Sequence, residues 1–149
     1  MKLKTFVLLG LAGLTLSGCD SVDPNSPLGK RQAIFKQMLK TSEDLGGMLR
    51  GRIAFDETRF VSDAVELDRL SRQPWQHFPQ VQDEGDSRAK DEVWQRQARF
   101  QELARALEAS TAALVAATAT PPLQPDDLAP AVQRVEDSCK ACHEEFRAF

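Results

Sequence analysis

The chain has 149 residues, with 22 acidic against 19 basic side chains and a formal charge of −3. That length suits one domain with a modest core, and the mild acidic balance argues against nucleic acid as a partner. No nucleophile–base constellation and no phosphate-binding loop is present, so the sequence does not read as an enzyme.

The first residues read as a targeting segment. Lys2 and Lys4 form a basic start, and Phe6 to Leu16 is an apolar run too short to span a bilayer. The run closes on Leu16-Ser17-Gly18-Cys19, which resembles the lipobox of bacterial lipoproteins; an ordinary secretory peptide cut nearby is the alternative. On the lipoprotein reading, residues 1–18 are removed and Cys19 carries the lipid. Two or three acyl chains hold a protein on a membrane stably, whereas one does not. Asp20 resembles the signal that retains lipoproteins in the inner membrane of enteric-type bacteria. The expectation is a periplasmic protein, lipid-anchored to the inner membrane, and more acidic once Lys2 and Lys4 are gone.

Residues 19–27 are polar, contain proline and lack periodicity, so they read as a tether. The domain proper is residues 28–149. Its first helix starts at an N-cap Ser26 with Pro27 in the first turn and reaches about Gly51. Ile34, Phe35, Met38, Leu45, Met48 and Leu49 recur in steps of three and four, marking one buried stripe. Gly46-Gly47 suits the close approach of a neighbour, or a kink. A second helix runs from Asp56 to about Arg72 and buries Phe60, Ala64, Leu67 and Leu70. Residues 74–86, with Pro74, Pro79 and Gly85, form a loop.

The third helix is expected from about Ser87 to Thr118, with Val93, Phe100, Leu103, Leu107 and Leu114 inward. Pro121, Pro122 and Pro125 break the pattern. A fourth helix begins near Asp126, where Asp126 and Asp127 suit the positive helix start. Along it Leu128, Val132, Val135, Cys139, Cys142 and Phe146 step by four and three. Four amphipathic helices with short connections predict an all-α, antiparallel up-down-up-down four-helix bundle. Glu43-Asp44, Asp83-Glu84 and Glu144-Glu145 read as solvated charges.

Cys139-Lys140-Ala141-Cys142-His143 is the most informative stretch. C-x-x-C-H is the attachment signature of a c-type haem. The two thiols add across the porphyrin vinyl groups, and the adjacent imidazole falls under the iron as an axial ligand. A zinc site would need more ligands, and the other histidine, His77, lies in a loop. A thioredoxin-like pair would want a βαβ pattern, which is absent. With Cys19 lipidated and Cys139 and Cys142 on haem c, no cysteine remains for a disulfide.

Beyond that motif, residues 28–149 resemble the cytochrome c′ / cytochrome c-556 family. Arg31-Gln32 looks like the family's Arg-Gln pair on helix one. Pro74-Trp75-x-x-Phe78 looks like its Pro-Trp loop, and Val93-Trp94 like its aliphatic-Trp pair. His143-Glu144-Glu145-Phe146-Arg147 matches the pattern after the attachment site. The resemblance implies one covalent haem within the bundle, with one-electron transfer as the broad activity and a redox protein as partner. It also implies pairing as a homodimer through helices one and two.

In this family the residue four after the helix-one arginine faces the distal side of the haem. Here it is Phe35, which has no lone pair for iron. The resemblance therefore implies a five-coordinate iron under an apolar roof of Phe35 and Ile34, binding NO and CO. Dioxygen wants a hydrogen-bond donor that such a roof lacks. The alternative is a low-spin, c-556-like electron carrier with Met38 as sixth ligand, since Met38 lies only roughly 4.5 Å further along the helix. Met48, roughly 20 Å along an ideal helix, is too far. Trp75, Trp94 and Arg31 are candidates to flank the porphyrin and donate to a propionate. Arg147, one turn after His143, neighbours the ligand imidazole.

Overall fold

A computed structural model describes residues 22–80 and 87–148. The signal segment, Cys19, Asp20 and Asp83-Glu84 lie outside the described residues. Long helices are α1 (Pro27–Leu49), α2 (Glu57–Ser71), α4 (Gln97–Ala117) and α5 (Pro125–Phe146), with a short α3 (Glu92–Gln95) and a 3₁₀ turn at Trp75–His77. Around the bundle α1 packs on α2 and α5, and α4 packs on the same two. This closes the expected four-helix, up-down-up-down ring; the short α3 is an added turn outside it.

Local chemistry sets the helix starts. The Ser26 hydroxyl accepts from Gly29 N at 3.0 Å and Pro27 occupies the first turn. Asp56 accepts from Arg59 N at 2.9 Å. Each satisfies a backbone donor that the helix itself leaves unpaired. The stretch read as a tether is not free at its end: Ser26 N and Oγ both donate to Asp23 O, at 3.0 and 2.6 Å. At the other end of α1 the chain turns at Gly51, whose φ of +69° is the left-handed conformation that glycine adopts without strain.

The start of the third helix is corrected. Ser87–Lys90 is not helical, and Ala89 instead forms an antiparallel bridge with Arg147. Arg96, at φ −121° and ψ 46°, then separates the single turn of α3 from α4. The apolar periodicity of this stretch was correct in its inward residues: Val93, Phe100, Leu103, Leu107 and Leu114 are all buried. Pairing with the distant end of α5 overrides the local helical pattern.

The core falls into two apolar clusters. The larger joins Met38, Leu45 and Met48 of α1 to Phe60, Leu67 and Leu70 of α2, Leu107 and Leu114 of α4, and Leu128, Val132 and Val135 of α5. The smaller comprises Val93, Phe100, Leu103 and Phe146. Ile34, Phe35 and Leu49, expected inside, are half-buried at the edge of the larger cluster. Gly46 and Gly47 serve close approach rather than a kink. A methyl at Gly46 would strike the Arg50 guanidinium, and one at Gly47 would meet Ile53 Cδ1 at 3.0 Å.

Between α2 and α4 the hydroxyls of Ser71 and Thr111, both fully buried, lie 3.0 Å apart. Thr111 also donates to Asp68 Oδ1 at 2.9 Å. A satisfied polar pair in an apolar seam fixes how the two helices align, because sliding either one would strand it.

The charged pairs are less passive than the sequence reading had them. Asp44 accepts from Lys40 at 2.7 Å and from Arg59 at 2.8 Å, and its carboxyl is held below the usual range, chiefly by the Lys40 hydrogen bond. Asp63 differs. Its Oδ2 is buried without a hydrogen bond, with Arg59 Nε 3.5 Å away, and burial raises its pKa above 3.8. A raised native pKa means that the folded chain holds this proton more tightly than the unfolded one, so stability is lost as pH rises through it. Asp63→Asn should therefore raise Tm at pH 7, and the gain should fade as pH falls through the raised pKa and be gone below 3.8. A thermal melt series showing a gain independent of pH would contradict this account.

Candidate functional site

The stripe of α5 that builds the core also carries the motif. Leu128, Val132, Val135 and Phe146 on it are buried, and Ala131 joins them. Cys139 and Cys142 lie on the same stripe, one turn apart and half-buried, as free thiols. Cys139 packs against the larger cluster and Cys142 against the smaller. The two sulfurs thus lie along the boundary between two apolar masses.

Burial pushes both thiols up to about 11; Cys142 and Glu136 add to it at Cys139, and Glu145 at Cys142. Thiols of this kind are protonated at neutral pH. A redox-active pair needs the opposite, a thiolate stabilised by positive surroundings. Among the described residues no group of three or more His, Cys, Asp or Glu side chains is placed to hold a metal ion on its own. His143 is exposed on the helix surface, yet partial desolvation and the neighbouring Arg147 charge both lower its pKa below 6.5, so the ring is mainly neutral at pH 7 and its nitrogen lone pair is available.

Opposite α5 stands an aromatic group. Phe35 meets Trp75 edge-on at 6.1 Å between ring centroids and Phe78 at 6.5 Å. Phe100 touches Trp75, Phe78 and Phe146, at 5.8, 4.9 and 5.3 Å. The rings run from α1 across to the end of α5, meeting edge to face as their quadrupoles prefer. Met38 is 6% exposed and lies within the larger cluster.

The three polar candidates separate. Arg31 is buried, donates to His77 O at 3.0 Å and Ser87 Oγ at 3.1 Å, and lies over the Phe78 ring at 4.6 Å. It ties α1 to the connection between α2 and α3 instead of pointing to open space. Trp94 Nε1 donates to Pro79 O at 2.8 Å, so its N–H is already used. Trp75 Nε1 is buried with no partner among the described residues. An unpaired buried N–H is costly, which marks a place where an acceptor belongs.

At the end of α5, Arg147 is exposed and its N donates to His143 O at 3.1 Å. Glu145, read as a solvated charge, is an inter-helix tie. Its carboxylate accepts from Arg99 Nη2 at 2.7 Å and from Arg96 Nη2 at 2.9 Å. Arg96 and Arg99, three apart, already signal a two-pronged cation, but their partner cannot be read locally. In the sequence Phe78 stands out only as the end of the Pro74-Trp75-x-x-Phe78 motif. Its part as the platform under Arg31 needed the fold.

Comparisons with known proteins agree on one family. The family model described as cytochrome C′ matches residues 26–147. A cytochrome c′ of Rhodopseudomonas palustris is 29% identical over 99% of this chain and 98% of its own length. The structure of cytochrome c prime from Shewanella frigidimarina superposes with a TM-score of 0.79 at 29% identity, covering 85% of this chain and 98% of that one. The cytochrome c prime of Alcaligenes xylosoxidans matches as a carbon-monoxide-bound variant, at 27% identity and TM-score 0.75 over 85% of this chain and 98% of that one. It matches also as a nitric oxide complex of another variant, at 26% identity and TM-score 0.74 over 84% and 98%.

The thiol environment is directly testable. In the folded, haem-free chain, raised pKa values cut the thiolate fraction steeply, while greater intrinsic nucleophilicity offsets part of the loss. Alkylation of Cys139 and Cys142 by iodoacetamide at pH 7.5 should be about tenfold slower than that of a free cysteine. Rates equal to those of a free thiol would show that the sulfurs are not buried.

Proposed function

Because the chain belongs to the cytochrome c′ family, whose members carry haem c, we propose that it is a monohaem cytochrome with a five-coordinate, gas-binding iron. Haem supplies a metal that binds diatomic gases and passes single electrons. Cys139 and Cys142 are its attachment points and His143 its axial ligand. The carrying observation is the pair of half-buried thiols, one turn apart, facing two apolar clusters and followed by a neutral imidazole.

The residues fit a porphyrin. Its faces are apolar and its propionates are anionic, so it needs greasy walls and a donor inside them. The clusters supply the walls, and the unpaired Trp75 Nε1 supplies the donor. Trp94 braces the loop through Pro79, and Arg31 holds the Phe78 ring beside Phe35.

On the distal side Phe35 roofs the iron. Its place in the aromatic group supports this, and so does the burial of Met38 within the leucine-rich cluster. Phe35 and Ile34 offer no hydrogen bond, so the site discriminates against dioxygen. NO and CO, the ligands of the Alcaligenes xylosoxidans complexes, need none. Arg147 neighbours the proximal imidazole. One-electron exchange with a redox protein partner is the accompanying activity.

We place the protein in the periplasm, lipidated at Cys19 and held on the inner membrane, with residues 1–18 removed. No helix among the described residues is long and apolar enough to cross a membrane. Homodimerisation through α1 and α2 is supported by one exposed large apolar side chain on each, Leu39 at 59% and Val65 at 50%.

Optical spectra test the central reading. High-spin ferric and ferrous bands that shift under CO are expected, whereas a low-spin spectrum indifferent to CO would put Met38 on the iron. Moving a packed ring off its rotamer costs about 1 kcal/mol, so Phe35→Ala should tighten CO binding about five- to tenfold. Unchanged affinity would remove Phe35 from the roof. Cys19→Ser should release the protein from membranes into the soluble periplasmic fraction, and a parent protein already soluble would refute the lipid anchor.

A further inference from the structure

The last turn of α5 poses a problem of its own. His143 lies in it, and the final four carbonyls of any helix lack partners within the helix. Many helices solve this with a glycine that curls back in the left-handed conformation. Here the chain leaves α5 through Arg147 in an extended conformation, at φ −117° and ψ 131°, which forbids that solution.

The partners come from elsewhere. Lys90 N donates to Phe146 O at 2.9 Å, and Lys90 Nζ donates to Glu144 O at 3.0 Å. One residue thus satisfies two terminal carbonyls, once through its backbone and once through its side chain. Its ammonium also meets the negative end of the helix dipole. Next to it, Ala148 N donates to Arg88 O at 2.8 Å and Ala89 bridges Arg147, so residues 87–90 run as a strap along the exit of α5. The strap's other end is tied down. Ser87 Oγ accepts from Arg31 Nη2 at 3.1 Å and from Ala89 N at 3.2 Å.

We propose that Lys90 is a positioning residue for the proximal histidine, capping from outside the helix the turn from which His143 reaches the iron. The inference rests on His143 being the axial ligand. A helix terminus without a cap frays, and fraying here moves the imidazole rather than an idle surface residue. Lys90 and the strap hold the ligand in place on the face where Arg147 also stands, and the strap's anchor on Arg31 lies one turn before Phe35.

The test uses the haem-loaded protein with Lys90→Met, Lys90→Arg and, as a control elsewhere, Lys40→Met. Amide exchange at Arg147 and Ala148 should be about tenfold faster in Lys90→Met, the effect of losing one charged helix cap. The iron–histidine stretching band in the resonance Raman spectrum of the ferrous protein should broaden and shift to lower frequency. Lys90→Arg should restore both readouts and Lys40→Met should leave both unaltered. An iron–histidine band unmoved by Lys90→Met, with unchanged exchange, overturns the inference alone. A parent protein whose ferrous spectrum is high-spin and five-coordinate yet lacks this band overturns the role of His143 and this inference together.

Discussion

The amphipathic stripe of α5 is the constraint on which the rest depends. A single helix face buries Leu128, Ala131, Val132 and Val135, then presents Cys139 and Cys142, then buries Phe146. The same spacing that makes a helix pack therefore delivers two thiols to the seam between the apolar clusters. A slip of one residue along α5 would turn the sulfurs toward solvent and charged residues into the core. Fold and site are in this sense one pattern, read once for packing and once for chemistry.

The local parts of that pattern were legible in the sequence. Ser26, Pro27 and Asp56 announce helix starts because a cap acts within three residues. Periodicity alone identified the inward faces of α2, α4 and α5. Non-local pairing was out of reach. Ser87–Lys90 has no sequence signal for strand, and takes its extended form from hydrogen bonds to Phe146 and Ala148. Glu145 looked like a surface charge for the same reason: Arg96 and Arg99 meet it only once α4 and α5 are packed. The two tryptophans were indistinguishable by type. Only the fold gives Trp94 the Pro79 carbonyl and leaves Trp75 with none.

Electrostatics inside the site follows burial more than charge. The thiols are neutral because apolar neighbours penalise a thiolate, and His143 is neutral because desolvation and Arg147 penalise a second cation. Neutral thiols and a neutral imidazole suit a site that attaches an apolar macrocycle and lends a lone pair to its metal. The strong ion pairs stand back from this chemistry. Arg99 and Arg96 meet Glu145 where it is partly exposed, so they orient α5 against α4 without placing an uncompensated charge in the core.

One segment serves both sides of the site. Arg31 reaches from α1 to the His77 carbonyl, the Phe78 ring and Ser87, and so sets the aromatic group against which Phe35 packs. Three residues beyond Ser87, Lys90 closes the end of α5 behind His143. A change that loosened Ser87 would relax the Phe35 ring and the last turn of α5 together. Because the guanidinium is buried, losing the His77 and Ser87 acceptors would leave N–H groups of a charged side chain unsatisfied, a larger penalty than losing one neutral hydrogen bond. The cost of separating the two faces is therefore concentrated at Arg31, whose place in the sequence suggested only a contact with the cofactor.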